Sequence, residues 1–456
     1  VGLRDLMLRG ELTAEEVVEC ARAAVESVNP DLNALTSPLL DEPQEYDADG
    51  CLAGVPLLVK DSSPFARGMP FSLGSRAIRG AVATQDHQLM TRFRSAGLAT
   101  LGQTTAPELS LSFATESRRY GVTRNPWALD RGVGGSSGGA AALVAAGAVP
   151  LAHGNDGAGS LRIPAASCGV IGLKPSRGRT PRTATLSAPA QEPAVEFAVT
   201  KSVRDTAHLL DAVGLSLRGE PTWGSGRHVT AISRAPRRLQ IGISTEPWNT
   251  TAVDHQVAAA AVAAAEMLEW IGHSLVPGKP RLDSEDIVEG EMLAIYAAGR
   301  AVLSAPRPVD ASLLEAVSRK VLVEAQAAGA GALHAATQAQ QRITAAVDRF
   351  FEVHDLLVTP TLAQLPLRHG TLDYDDPEGD VRAWLRKLFD YGPFTAVFNV
   401  SGHPAISLPL GESREGLPIG VQLVAPMGGE VLLLQVAAEL EQAMPWTGRQ
   451  PSIFAG

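Results

Sequence analysis

Residues 134–175 read GGSSGGAAALVAAGAVPLAHGNDGAGSLRIPAASCGVIGLKP, and no other stretch restricts the fold so tightly. Two glycine-dense turns, each carrying serine, are joined by an Ala/Val/Leu segment. Glycine inside an element costs backbone entropy, so glycines crowded beside serines point to special dihedrals or to close approach of backbone and ligand. The first turn spans residues 134–139 and the second 157–162. The joining segment predicts a helix over residues 136–148 and then a short strand over 149–153 that enters the second turn.

The flanking sequence alternates in the same way. Residues 12–28 carry helical spacing, and Thr13 followed by Glu16 forms a capping-box signature. Residues 55–59 form an apolar strand candidate that ends abruptly at Lys60 and Asp61. An amphipathic helix is expected over 85–96, closed by Gly97, and a strand over 99–102. Further helices are expected over 201–213, 254–271 and 431–444, with strands over 239–243, 356–361, 405–410 and 419–424. Residues 277–345 read as mostly helical, broken by Gly/Ala-rich joints near 327–332. Strand–helix alternation with glycine punctuation predicts an α/β class, and no repeat or linker divides it, so one large domain is expected.

Charge and cysteine usage narrow the function classes. A net charge of −10 over 456 residues leaves no basic surplus, and the arginine pairs at 118–119 and 237–238 read as solvated surface. No nucleic-acid partner is expected. The most apolar run, 140–152, is broken by Pro150 and is shorter than the roughly 20 residues that span a bilayer, so no membrane partner is expected either. Three distant cysteines, Cys20, Cys51 and Cys168, fit a reducing compartment, and a cytoplasmic location follows. The chain starts at Val1 with charged residues and no signal-like apolar run, which leaves a segment upstream open. No CxxC or HExxH spacing occurs, so neither a metal nor a cofactor is expected.

Two readings of the serines compete. Gly134-Gly135-Ser136-Ser137-Gly138 satisfies the G-x-S-x-G elbow, which would make Ser136 the nucleophile of an α/β-hydrolase with a late histidine such as His369 or His403. A flexible Gly/Ser joint is the plainer alternative, and no GK[ST] follows to make a phosphate cradle. The second turn places Gly157, Ala158 and Gly159 immediately before Ser160. Small residues there leave room for backbone N–H groups to converge on a developing oxyanion, with Ser160 attacking. Such a serine needs a base. Lys60 supplies one only if burial keeps it neutral; a lysine at a strand end is otherwise a surface charge with its stem along the core. His153 reads as packing or a hydrogen-bond donor, and Cys168 as a buried structural thiol.

The combination resembles the amidase signature family. The resemblance rests on the GGSSGG turn, on Gly159-Ser160-Leu161-Arg162-Ile163-Pro164-Ala165, on Cys168-Gly169 and on the GLKP run at 172–175. It extends to GVPLLVKD at 54–61, TRNPW at 123–127, residues 356–361 and NVSGHPAISLPLG at 399–411, and so covers nearly the whole chain. It implies a single α/β/α domain over residues 1–456, built on a large mixed twisted sheet covered by helices. A signature core of about 50–210 and a variable helical substrate region of about 277–345 are expected within it. It also implies Ser160 as nucleophile, Ser136 as relay after a cis Gly135–Ser136 peptide, and Lys60 as general base. The oxyanion hole maps onto the amides of Gly157, Ala158, Gly159 and Ser160. The expected activity is hydrolysis of a small-molecule, non-peptide carboxylic amide through an acyl-enzyme, by an enzyme whose homodimerisation is left open.

Many family members read T-D-T-G-G-S where this chain has Asn155-Asp156-Gly157-Ala158-Gly159-Ser160. Alanine keeps its N–H, so the hole survives provided Ala158 has a negative φ. The GNDGAGS form is similar to the branch holding aminohexanoate cyclic-dimer hydrolases and mycobacterial-type amidases. Two rivals share the fold: the glutaminase subunit of a tRNA-dependent amidotransferase and a catalytically silent binding protein. The run Phe394-Thr395-Ala396-Val397-Phe398-Asn399 lacks the acid typical of the former, and the presence of Lys60, Ser136 and Ser160 counts against the latter.

Overall fold

The computed structural model describes residues 1–62, 65–181, 193–217 and 227–455. Residues 63–64 and 182–192 of the expected 50–210 core lie outside them. Ten strands form one sheet: β1 Pro56–Lys60, β2 Ala99–Thr104, β3 Leu151–Asp156, β4 Ile171–Lys174, β5 Val195–Thr200, β6 Gln240–Ile243, β7 Ser274–Pro277, β8 Leu356–Pro360, β9 Ala405–Glu412 and β10 Pro418–Val424. Their spatial order is β7-β6-β8-β10-β9-β4-β5-β3-β1-β2. The two ends are parallel, through β6 with β7 and β8, and β1 with β2 and β3. The centre from β8 through β10, β9, β4 and β5 to β3 is antiparallel. The sheet is therefore mixed, as expected.

Alternation along the strands separates two cores. Leu356 and Val358 of β8, Ile406 and Leu408 of β9, and Val421 and Leu423 of β10 join one apolar layer. Their neighbours Leu357, Ala405 and Val424 join another. Successive side chains on a strand point to opposite faces, so the two layers are the two sides of the sheet. The first layer is closed by helices such as His255–Trp270 and Glu430–Ala443. The second is closed by Ser284–Leu303, Ala330–Phe351, Val381–Tyr391 and Ala396–Ser401. A sheet with both faces covered by helices is an α/β/α sandwich.

Local signals are realised with small shifts. Helix Ala14–Leu32 starts on the expected capping box: the Thr13 hydroxyl accepts from Glu16 N (3.1 Å), and the Glu16 carboxylate accepts from Thr13 N (2.7 Å). The helix expected over 136–148 is shorter, Gly138–Ala145. All eight of its residues are buried, and it packs so closely that a Cβ on Gly138 would lie 2.2 Å from Thr115 Oγ1. The 277–345 region is helical, with breaks between Leu303 and Ala316 and between Ala327 and Ala330. Among the described residues no helix is long and apolar enough to cross a membrane.

Candidate active site

β1 and β3 run parallel and adjacent, Leu58 opposite Ala152, so their carboxyl ends open at the same edge. That edge is where parallel α/β sheets gather ligands, because loops there are free to diverge. Lys60 is the last residue of β1; Asn155 and Asp156 end β3; Ser136 and Ser137 precede the helix that connects back into β3.

Lys60 does not reach solvent. Its side chain is 1% exposed, and Nζ donates to Ser136 Oγ (2.7 Å) and to Asn155 Oδ1 (2.5 Å). Burial pulls its pKa down to about 7, against the opposite pull of Glu196, Asp156 and Asp61. Desolvation disfavours the charged ammonium more than these carboxylates restore it, and a neutral amine is populated near neutrality. The Lys60 backbone N–H donates to His153 Nδ1 (3.4 Å), while His153 Nε2 faces Glu196 Oε2 at 2.8 Å. Burial lowers the His153 pKa against the pull of Glu196. A neutral ring with its proton on Nε2 satisfies both contacts. His153 is thus a packed partner of the lysine's strand, in line with the sequence reading.

The Gly135–Ser136 peptide is cis. Ser136 is fully buried and hydrogen-bonded to Lys60, whereas Ser160 is 5% exposed. Among the described residues no hydrogen bond joins the two serine hydroxyls. The two turns are linked by backbone instead, Ser137 N donating to the Ser160 carbonyl (3.2 Å), while the Ser137 hydroxyl donates to the Asn155 carbonyl (3.2 Å).

Residues 157–160 leave β3 as an irregular turn. Among the described residues the amides of Gly157, Ala158, Gly159 and Ser160 donate no hydrogen bond, which leaves four consecutive N–H groups available. Ala158 is absent from the few non-glycine residues with positive φ, so alanine fits there without strain. Gly159 has φ +140°, and a Cβ on it would lie 2.5 Å from Thr395 Oγ1. Of the Ala158-Gly159 pair, only the second requires glycine.

A buried polar network underlies the turn. Arg162 and Asp156, both fully buried, pair in a fork: Nε to Oδ2 and Nη2 to Oδ1, each 2.9 Å. Arg162 Nη1 donates to the Thr395 carbonyl (2.9 Å) and to Gln422 Oε1 (2.7 Å), and Nη2 to Asn399 Oδ1 (2.5 Å). Asn399 Nδ2 returns to Asp156 Oδ1 (2.9 Å) and to its carbonyl (2.8 Å). Burial alone would raise the Asp156 carboxyl, but Arg162, with Lys174 and Asn399, holds its pKa down at about 2. A fully satisfied buried ion network rigidifies whatever it carries.

The remaining sequence candidates fall elsewhere. His369 faces the Leu129 carbonyl (3.0 Å) and Glu116, and His403 faces Ser401 Oγ and Asp348 (both 3.1 Å); neither is hydrogen-bonded to Ser136 or Ser160. Cys168 is buried and its thiol pKa is pushed up by desolvation. Asn125 of the TRNPW run donates to the Ser167 carbonyl (2.8 Å) and Trp127 Nε1 to the Cys168 carbonyl (2.7 Å), which ties off helix Arg162–Cys168. Sequence reasoning missed Asn155 as the second acceptor of Lys60 and the Asp156–Arg162–Asn399 network. Among the described residues no group of three or more His, Cys, Asp or Glu side chains is placed to hold a metal ion.

A buried lysine bonded to one serine, and a second serine ending a run of unpaired amides, are the kinds of group that acyl transfer draws on for a base and an anion receptor. Comparison with known proteins identifies the family. The amidase family model matches residues 13–434. The 6-aminohexanoate-cyclic-dimer hydrolase of Paenarthrobacter ureafaciens is 38% identical over 478 aligned residues, covering 99% of this chain and 95% of the relative. AmiC of Mycobacterium tuberculosis is 35% identical, covering 98% and 94%. The structure of 6-aminohexanoate cyclic dimer hydrolase complexed with substrate superposes with a TM-score of 0.91 at 36% identity, covering 99% of this chain and 98% of that one. On fold, motifs and these relatives together, the chain belongs to the amidase signature family of amide hydrolases.

Proposed function

We propose that the protein hydrolyses the C–N bond of a small-molecule, non-peptide carboxylic amide through a Ser160 acyl-enzyme. Neutral Lys60 accepts a proton from Ser136, which takes one from Ser160 as its oxygen attacks the carbonyl carbon. The oxyanion of the tetrahedral intermediate sits against the amides of Gly157 to Ser160. Collapse breaks the C–N bond, the proton passes back through Ser136 to the leaving amine, and water repeats the sequence to release the acid. The observation that carries this reading is the 2.7 Å contact from buried Lys60 to Ser136 beside the unpaired amides.

The surroundings favour an apolar acyl or amine flank. Ala158 packs against the apolar cluster on one face of the sheet, which includes Phe113, Ile163, Phe398 and residues of helix Ser284–Leu303. Cyclic or linear amides with methylene-rich flanks are the substrates proposed, in keeping with the similarity to a 6-aminohexanoate-cyclic-dimer hydrolase. A cytoplasmic location belongs to the same proposal, supported by three unpaired cysteines. The test is Ser160→Ala assayed on a panel of short aliphatic, aryl and cyclic amides. Hydrolysis should fall by about a thousandfold or more while the fold is kept; amide turnover at the wild-type rate would overturn the assignment.

A further inference from the structure

We propose that Thr395 is a positioning residue for the oxyanion site: its hydroxyl holds the Ala158 carbonyl and thereby aims the Gly159 N–H at the substrate. The proposal rests on the oxyanion role given above to residues 157–160, and it concerns a side chain from the far end of the chain.

Thr395 is fully buried, immediately before helix Ala396–Ser401. Its Oγ1 donates to the Ala158 carbonyl at 2.6 Å; the Gly392 carbonyl is a more distant alternative at 3.3 Å, so the proton goes to Ala158. The Ala158–Gly159 peptide is trans, since the one cis peptide among the described residues is Gly135–Ser136. In a trans peptide the C=O and the following N–H point in opposite directions. Fixing the Ala158 oxygen on Thr395 therefore fixes the Gly159 N–H on the other side.

The next two peptides are held in the same manner, but by backbone. The Gly159 carbonyl accepts from Ile163 N (2.7 Å), which sets the Ser160 N–H. The Ser160 carbonyl accepts from Ser137 N (3.2 Å), and the Leu161 N–H beyond it goes to Asp156 Oδ2 (3.2 Å). Thr395 is the side-chain member of this set of three anchors, so it is the one that substitution can remove cleanly. Its own position is fixed by Arg162, which takes the Thr395 carbonyl at 2.9 Å. The close fit is reciprocal: Gly159 has no room for a Cβ because Thr395 Oγ1 and Cβ stand 2.5 and 2.9 Å from where it would be.

The experiment compares Thr395→Val, which keeps the shape and removes the hydroxyl, with Thr395→Ser, which keeps the hydroxyl. Both are assayed for kcat and KM on an amide and for inhibition by a trifluoromethyl ketone, which forms an anionic tetrahedral adduct on a catalytic serine. Removing a whole oxyanion donor costs about 10²–10³ in kcat, and misaiming one should cost about 10–100-fold. Thr395→Val is expected to show that loss in kcat with KM within about threefold, and weaker ketone binding in proportion. Thr395→Ser is expected to stay within about threefold of the parent in all three.

Full kcat in Thr395→Val, a loss confined to KM, or an equal loss in Thr395→Ser would overturn the proposal. If Thr395→Val does not fold, Thr395→Cys, with a thiol as a weak donor, takes its place with the same outcomes. Ser160→Ala separates the two levels of the argument. Activity surviving in that variant defeats the nucleophile assignment, whereas an inactive Ser160→Ala beside a fully active Thr395→Val defeats only the anchor.

Discussion

The ionisation of Lys60 is the most exposed part of the mechanism to measurement. With a pKa of about 7 the amine is neutral in half the molecules at pH 7, and in about one tenth at pH 6. A lysine at its ordinary value near 10.4 would be neutral in about one molecule in 2,500 at pH 7, so burial raises the competent form about a thousandfold. In the proposed mechanism the competent form is the deprotonated one, so kcat/KM is expected to rise with pH through about 7 and then level. Two substitutions move that limb in opposite directions. Glu196 is the largest of the three carboxylate contributions holding the Lys60 value up, and Glu196→Gln keeps an acceptor for His153 while removing the charge. The limb should move to lower pH by about half a unit to one unit. Asn155→Asp places a carboxylate where Oδ1 now takes the ammonium at 2.5 Å, which favours the charged form and should move the limb upward by about one unit or more. The assay is kcat/KM on a soluble amide from about pH 5 to about pH 10, where the limb reports the free enzyme. An inflection that stays fixed in both variants, or one above about pH 9 in the parent, would refute Lys60 as the base.

The turn and its supports make separate predictions. Gly159→Ala puts a Cβ 2.5 Å from Thr395 Oγ1 at a φ of +140°, and kcat should fall about 10²–10³-fold, whereas Ala158→Gly should change steady-state kinetics by less than about threefold because that φ is not positive. Asp156→Asn leaves Arg162 buried without its counter-charge, and denaturant unfolding should show a loss of about 3–5 kcal/mol; a loss under about 1 kcal/mol would mean that the pair is not a support.

What the chain disclosed about itself depended on range. The capping box at Thr13 and Glu16, the β1 strand ending at Lys60, and the small residues before Ser160 are local patterns, and each was legible. Asn155 was in view within the GNDGAGS run, but nothing in its spacing says that its amide oxygen meets a lysine 95 residues upstream. The strand Val195–Thr200 escaped because all six of its residues are buried, including Glu196, so it shows no alternation to read. Arg162 was visible as a letter in a signature run, and Thr395 in the run that leads to Asn399. The bonds of Arg162 to Thr395, Asn399 and Gln422 each cross more than 230 residues, where no periodicity reports them. Lysine at a strand end also has two opposite meanings, solvated tip or buried base, and the choice belongs to the fold.

The distance between Arg162 and its partners has a bearing on when the molecule becomes competent. Synthesis proceeds from the N-terminus, so Lys60, Ser136 and Ser160 are all made long before Thr395, Asn399 and Gln422. Until those last segments dock, the turn of residues 157–160 lacks the Thr395 bond to the Ala158 carbonyl, and Arg162 lacks three of its acceptors. Closing so large a loop is entropically late. On the proposed mechanism, shortening the chain from its C-terminal side past Thr395 is therefore expected to abolish amide hydrolysis while Lys60, Ser136 and Ser160 are all still present.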